Sequence, residues 1–117
     1  MITRQGVLAL VDLLPDARRV DRPDDALAWA GGRHEFLRLA RAADIARLWT
    51  GDMSLAPALR ARPLVFPTVD EYRFRISFEV ALDRIEPRGF AELLLDSYAI
   101  RCGSRRAAAA DEGTFFA

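Results

Sequence analysis

Between residues 71 and 83 the chain alternates without a break. Tyr72, Phe74, Ile76, Phe78, Val80 and Leu82 fall on one parity, and Arg73, Arg75, Ser77, Glu79, Ala81 and Asp83 on the other. Successive side chains of a strand leave the backbone on opposite faces, so a period of two reads as a β-strand with one apolar wall. On a helix the same residues would scatter around the whole circumference. Each large apolar side chain is worth roughly 1.5–3 kcal/mol when buried, so the wall must meet a core. A strand is not stable alone. Its in-chain partners are expected around Val20, within a polar stretch over 16–22, and at Leu64-Val65-Phe66, which Pro63 and Pro67 bracket as a short edge strand. A strand from another chain is the alternative.

The remainder reads as helical. Thr3 is a cap for a helix carrying Val7, Leu10, Val11 and Leu14 on one stripe, ended by Pro15-Asp16. Pro23-Asp24-Asp25 starts a short helix through Ala26–Ala30, because free N–H groups at a helix start favour carboxylates, and Gly31-Gly32 closes it. The longest helix is expected over 33–50, with Phe36, Ala40, Ala43, Leu48 and Trp49 near one face, Leu37, Ala42, Ile45 and Ala46 widening it, and Gly51 after it. One helical turn is expected near Ala56–Arg60. A last helix runs from Glu86-Pro87 with Phe90, Leu93, Leu94, Ser97, Tyr98 and Arg101 in helical spacing, to a cap at Gly103. The fold class is therefore α+β: three to four helices packed on a small, mainly antiparallel sheet dominated by one long strand at about 71–83. Residues 1–103 form a single globular domain and 104–117 an Ala-rich tail.

Composition narrows the chemistry. A chain of 117 residues is one domain, long enough to bury its own core. Its 17 basic residues balance 17 acidic ones. Every basic residue is Arg, as a GC-rich coding sequence would give, so arginine content by itself says little about phosphate binding. A nucleic-acid module shows a basic excess that this chain lacks, which makes binding through Arg73, Arg75, Arg84 and Arg88 the weakest reading. Without Lys there is no Schiff base and no P-loop. The single Cys102 excludes an internal disulfide, and the single His34 excludes multi-histidine metal motifs. No apolar run is long enough to span a membrane, and a cytoplasmic location is expected.

Each candidate constellation has a plain structural reading beside it. His34-Glu35 pairs a neutral-pH base with a carboxylate, yet neighbours on a helix point about 100° apart and form no natural dyad. Asp16, Asp21, Asp24 and Asp25 surround Pro23 as hard-cation ligands would, but helix capping explains Asp24 and Asp25 without a metal. Cys102 needs a histidine within reach to act as a nucleophile, and packing in the last helical turn is its simpler role. No catalytic residue, metal or cofactor is assigned. Arg73 and Arg75 on the polar strand face, with Arg84 and Arg88 nearby, suit a phosphate or an acidic partner, while Glu79 and Asp83 on the same face give the plainer reading of a mixed, solvated surface. Phe115 and Phe116 suit a docking peptide, with a frayed terminus as the plain reading. If the aromatic wall lines a cavity, Trp49, Phe74, Phe78 and Tyr98 are its lining. The expected function is thus a non-enzymatic protein–protein interaction module, an adaptor or accessory subunit binding another protein or itself. The alternative is a small-molecule-binding domain or small enzyme with a pocket between strand 71–83 and the helices. Acid–base work would then fall to Asp83, Asp96, Tyr98 or His34.

Overall fold

The computed structural model describes residues 1–22, 27–40, 44–110 and 112–116. Its centre is an antiparallel sheet of six strands in the order β1-β2-β3-β4-β6-β5. In chain order these are Ala17–Val20, Leu27–Gly31, His34–Leu39, Ile45–Thr50, Val69–Tyr72 and Arg75–Ala81. Helix α1 (Arg4–Asp12) precedes the sheet and α2 (Ala56–Arg60) lies between β4 and β5. Helix α3 (Pro87–Cys102) follows β6, and short α4 (Ser104–Ala108) and α5 (Glu112–Phe115) follow it. The class is α+β, with an antiparallel sheet. Among the described residues no helix is long and apolar enough to cross a membrane.

Several elements form for the reasons the sequence gives. The Thr3 side chain accepts from the Gly6 N–H at 3.0 Å and caps α1, whose Val7 and Val11 are buried. Pro87 sits in the first turn of α3, and Phe90, Ala91, Leu94, Ser97, Tyr98 and Cys102 line its buried side at helical spacing. Gly103, at φ 102°, ends it in a conformation that disfavours any residue with a Cβ.

The segment expected to be the longest helix, 33–50, is instead β3 and β4. Leu37 and Leu39 alternate with Arg38, and Ala46, Leu48 and Thr50 alternate with Arg47 and Trp49. The helix propensity of Ala, Arg and Leu is a weak prior that pairing on both sides overrides. The short helix expected through Ala26–Ala30 is strand β2 from Leu27 onward, while Pro23–Ala26 lies outside the described residues. Gly31-Gly32 closes no helix. Gly31 pairs with His34, and Gly32 at φ 64° takes the first position of a two-residue hairpin turn. Gly31 is also a close-approach position: a Cβ there would lie 2.8 Å from Cys102 Sγ and 3.1 Å from Tyr98 Cε1.

The strand expected over 71–83 is a hairpin. Tyr72 pairs with Arg75, so Arg73 and Phe74 form a two-residue turn between β5 and β6. Ile76, Phe78 and Val80 are buried on β6, and Leu82 follows in a 3-10 turn, also buried. Tyr72 and Phe74 are outside the wall. Leu64–Phe66 is no strand but a turn, although Val65 and Phe66 are buried and the Val65 carbonyl accepts from the Ala81 N–H at 2.8 Å. The segment after Gly103 folds back on the domain: Phe115 is 2% exposed within the core, and Arg88 lies 5.3 Å from the Phe116 ring.

Candidate functional site

Sheet register decides which side chains share a surface. Arg38 pairs with Arg47, Arg47 with Glu79, and Trp49 with Ser77, which sets these residues side by side on one face. The opposite face carries Leu39, Ala46, Leu48, Phe78 and Val80, all buried. The pairing of β3 with β4 covers Arg38↔Arg47 and Leu39↔Ala46, and towards His34 and Thr50 side chains of α3 stand where a ladder would. Ser97 Oγ donates to the Phe36 carbonyl at 2.6 Å and accepts from the Trp49 N–H at 3.1 Å. Arg101 Nε donates to the Glu35 carbonyl at 2.7 Å, and Cys102 Sγ to the His34 carbonyl at 3.6 Å. The helix thereby satisfies backbone groups that would otherwise be buried without partners.

This exchange also builds a site. It fixes the Trp49 main chain and sets the Arg101 guanidinium 4.7 Å from the centre of the Trp49 ring. Arg38 lies 5.8 Å from the same ring. Both are cation–π distances. Trp49 then forms one wall of a cleft of about 480 Å³ that Tyr72, Arg73, Phe74, Arg75 and Ser77 also line. The β5–β6 turn forms the other wall. Arg73 holds φ 55° there, a left-handed conformation that hairpins usually give to glycine. The turn carries Phe74 at 88% exposed and Tyr72 at 72% exposed, with Arg73 5.5 Å from the Tyr72 ring.

Charge on this face is uneven. Glu35 holds both Arg22, at 2.6 Å, and Arg38, at 2.9 Å. Asp70 and Glu79 both lie near Arg47, at 3.6 and 3.9 Å. Arg47 Nη1 also donates to Ser77 Oγ at 2.5 Å. Among the described residues no carboxylate lies within ion-pair distance of Arg73, Arg75 or Arg101. Burial, and then the charge of Arg75, pushes the Arg101 guanidinium below its ordinary pKa. A chain that is neutral as a whole thus carries a local positive surplus beside three aromatic rings. Such a surface can bind an anionic group and hold flat or apolar groups next to it.

Of the residues singled out in the sequence, Trp49, Phe74, Arg73 and Arg75 come together here. Phe78 and Tyr98 do not. Phe78 is fully buried, edge-on to Phe66 at 5.9 Å, and Tyr98 is fully buried, edge-on to Phe36 at 4.9 Å, with its hydroxyl donating to the Pro15 carbonyl. The hairpin reversal explains the split: Phe74 is at the tip, and Phe78 is four residues down a strand that faces the core. Phe115 is committed to its own chain's core, which differs from a tail held out for docking. His34 is exposed, Glu35 is taken by two arginines, and Cys102 donates to a carbonyl, with burial raising its thiol pKa. Asp24 and Asp25 lie outside the described residues, and among the described residues no group of three potential metal ligands occurs. The sequence reading missed Arg38, Ser97 and Arg101. The available signal was Ser97 and Arg101, polar residues four apart within the apolar stripe of α3.

An antiparallel sheet crossed by one long helix, with a cleft at a hairpin tip, defines a small α+β fold without announcing a chemistry. The fold is similar to the crystal structure of the Deinococcus radiodurans protein DR2400, described as a DUF419 family-model domain. The TM-score is 0.71 at 19% identity, over 86% of this chain and 78% of that one. No family model matches the sequence, and no curated protein matches it.

Proposed function

We propose that this chain is a non-enzymatic binding module, acting in the cytoplasm, whose cleft around Trp49 docks an acidic segment of a partner protein. The observation that carries this reading is the gathering of Arg73, Arg75 and Arg101, none paired with a carboxylate among the described residues, beside Trp49, Tyr72 and Phe74. Two rings as exposed as Tyr72 and Phe74 suit a macromolecular cover better than a small ligand, which a pocket normally encloses over most of its surface. Aromatic and Arg side chains are the residue types that anchor protein interfaces. The neutral net charge argues for a partner met at one spot rather than a long phosphate backbone. A single buried thiol suits a reducing compartment.

Calorimetry with a peptide of mixed Asp, Glu and Phe, against its Asn, Gln and Phe analogue, tests this. The acidic peptide should bind, more weakly as salt rises, and Phe74→Ala should weaken it. Equal binding of the neutral analogue would defeat the reading. The cleft volume, about 480 Å³, favours a second reading, a small anionic ligand. Retention of a few hundred extra daltons in native mass spectrometry would move the function there.

A further inference from the structure

Arg101 is held at one atom and open at two. Its Nε is spent on the Glu35 carbonyl at 2.7 Å, and its plane lies against Trp49 at 4.7 Å. Among the described residues its two terminal nitrogens have no acceptor. Arg75 is exposed on β6, has no hydrogen-bond acceptor among the described residues, and is close enough to repel Arg101. Arg73 completes the group from the turn. The nearby carboxylates are shared with other arginines: Glu35, whose charge also partly offsets Arg101, is paired with Arg22 and Arg38, Asp70 and Glu79 with Arg47, and Glu71 with Arg60 at 2.8 Å.

We propose that the edge of the cleft at Trp49, where Arg75 lines it and Arg101 lies against the same ring, is a subsite for a phosphomonoester on the docked protein segment, with these two arginines as donors. The proposal rests on the docking reading above and names the chemistry of its partner. A carboxylate brings one negative charge, whereas a phosphomonoester brings about 1.5–2 at neutral pH and three strong acceptor oxygens. That matches several guanidinium groups that have no ion-pair partner among the described residues and whose planar donor forks suit phosphate oxygens. A phosphodiester polymer brings one charge per unit along a track and selects for a basic stripe. Here the surplus is confined to one spot in a neutral chain. Tyr72 and Phe74 flank the subsite and give the neighbouring residues of the segment an apolar support.

The test uses the full chain and three acidic peptides of about twelve residues, identical except for a central Ser, Asp or phosphoserine. An oligothymidine of similar charge and free inorganic phosphate serve as further probes. The phosphoserine peptide should bind about tenfold more tightly than the Asp peptide. Inorganic phosphate should compete with the phosphoserine peptide. In Arg75→Ala, an exposed position whose loss does not threaten folding, the advantage should fall to about twofold or less, and Arg75→Lys should restore part of it. Equal affinity for phosphoserine and Asp would overturn the subsite while leaving docking intact. Failure of every peptide would overturn both. Tighter binding of the oligothymidine would overturn it in favour of a phosphodiester partner, and an undiminished advantage in Arg75→Ala would overturn the assignment of the donors.

Discussion

The sheet contains two hairpins closed by turns of the same length, and they solve the same geometric problem with opposite residues. In the β2–β3 turn Gly32 sits at φ 64°; in the β5–β6 turn Arg73 sits at φ 55°. The first is packed. Arg18 Nη2 donates to the Gly32 carbonyl at 2.5 Å, a Cβ on Gly32 would lie 3.0 Å from Arg106 Nη1, and Gly31 lies directly under α3. The second is open, with its side chains displayed around a cleft. A left-handed conformation costs an L-residue with a Cβ roughly 1–2 kcal/mol, and backbone strain of this kind tends to persist where function needs the side chain. A glycine at 73 would make the turn at least as well and would remove one of the three arginines. The difference between the turns is the difference between a position chosen for fit and one chosen for display.

That contrast can be broken in steps. Gly31→Ala should do the most damage, about 1–3 kcal/mol of stability in urea unfolding, because the new methyl meets Cys102 and Tyr98 in a filled interface. A loss below a few tenths would mean α3 is not seated on β2. Gly32→Ala should cost about 1–2 kcal/mol through left-handed backbone strain, with Arg106 giving way to the methyl. Arg73→Gly should run the other way and stabilise by about 0.5–1 kcal/mol, the relief of the left-handed Cβ less the entropy glycine adds to the unfolded chain. The same variant should bind an acidic peptide more weakly. If Arg73→Gly lowers the melting temperature, the turn is held by side-chain packing and the contrast fails. Arg75→Ala should change stability least, within about 0.5 kcal/mol, while weakening binding, because the side chain is exposed.

How much of this was legible in the sequence depends on whether the signal was local. The cap at Thr3, the helix from Pro87 to Cys102 and the buried alternation of Ile76, Phe78 and Val80 depend on near neighbours and are readable. The hairpin at Arg73-Phe74 was hidden because alternation passes straight through it and neither residue is a turn former. The Gly31-Gly32 turn did carry a signal, but an Ala- and Leu-rich flank lets the same pair read as a helix end. Most of the candidate cleft was visible as Trp49, Arg73, Phe74 and Arg75. The residues that support it, Arg38, Ser97 and Arg101, depend on contacts between residues as far apart as 36 and 97, which no local pattern records.

The most direct test of the central claim is an amide and indole NMR titration of the full chain with an acidic peptide. Shifts should be confined to Tyr72–Ser77, the Trp49 indole and the residues around Arg101, with the Gly31–His34 turn unmoved. Shifts centred on the Gly31–His34 turn or on the α3–α5 surface around Phe116, with the Trp49 indole unchanged, would contradict it.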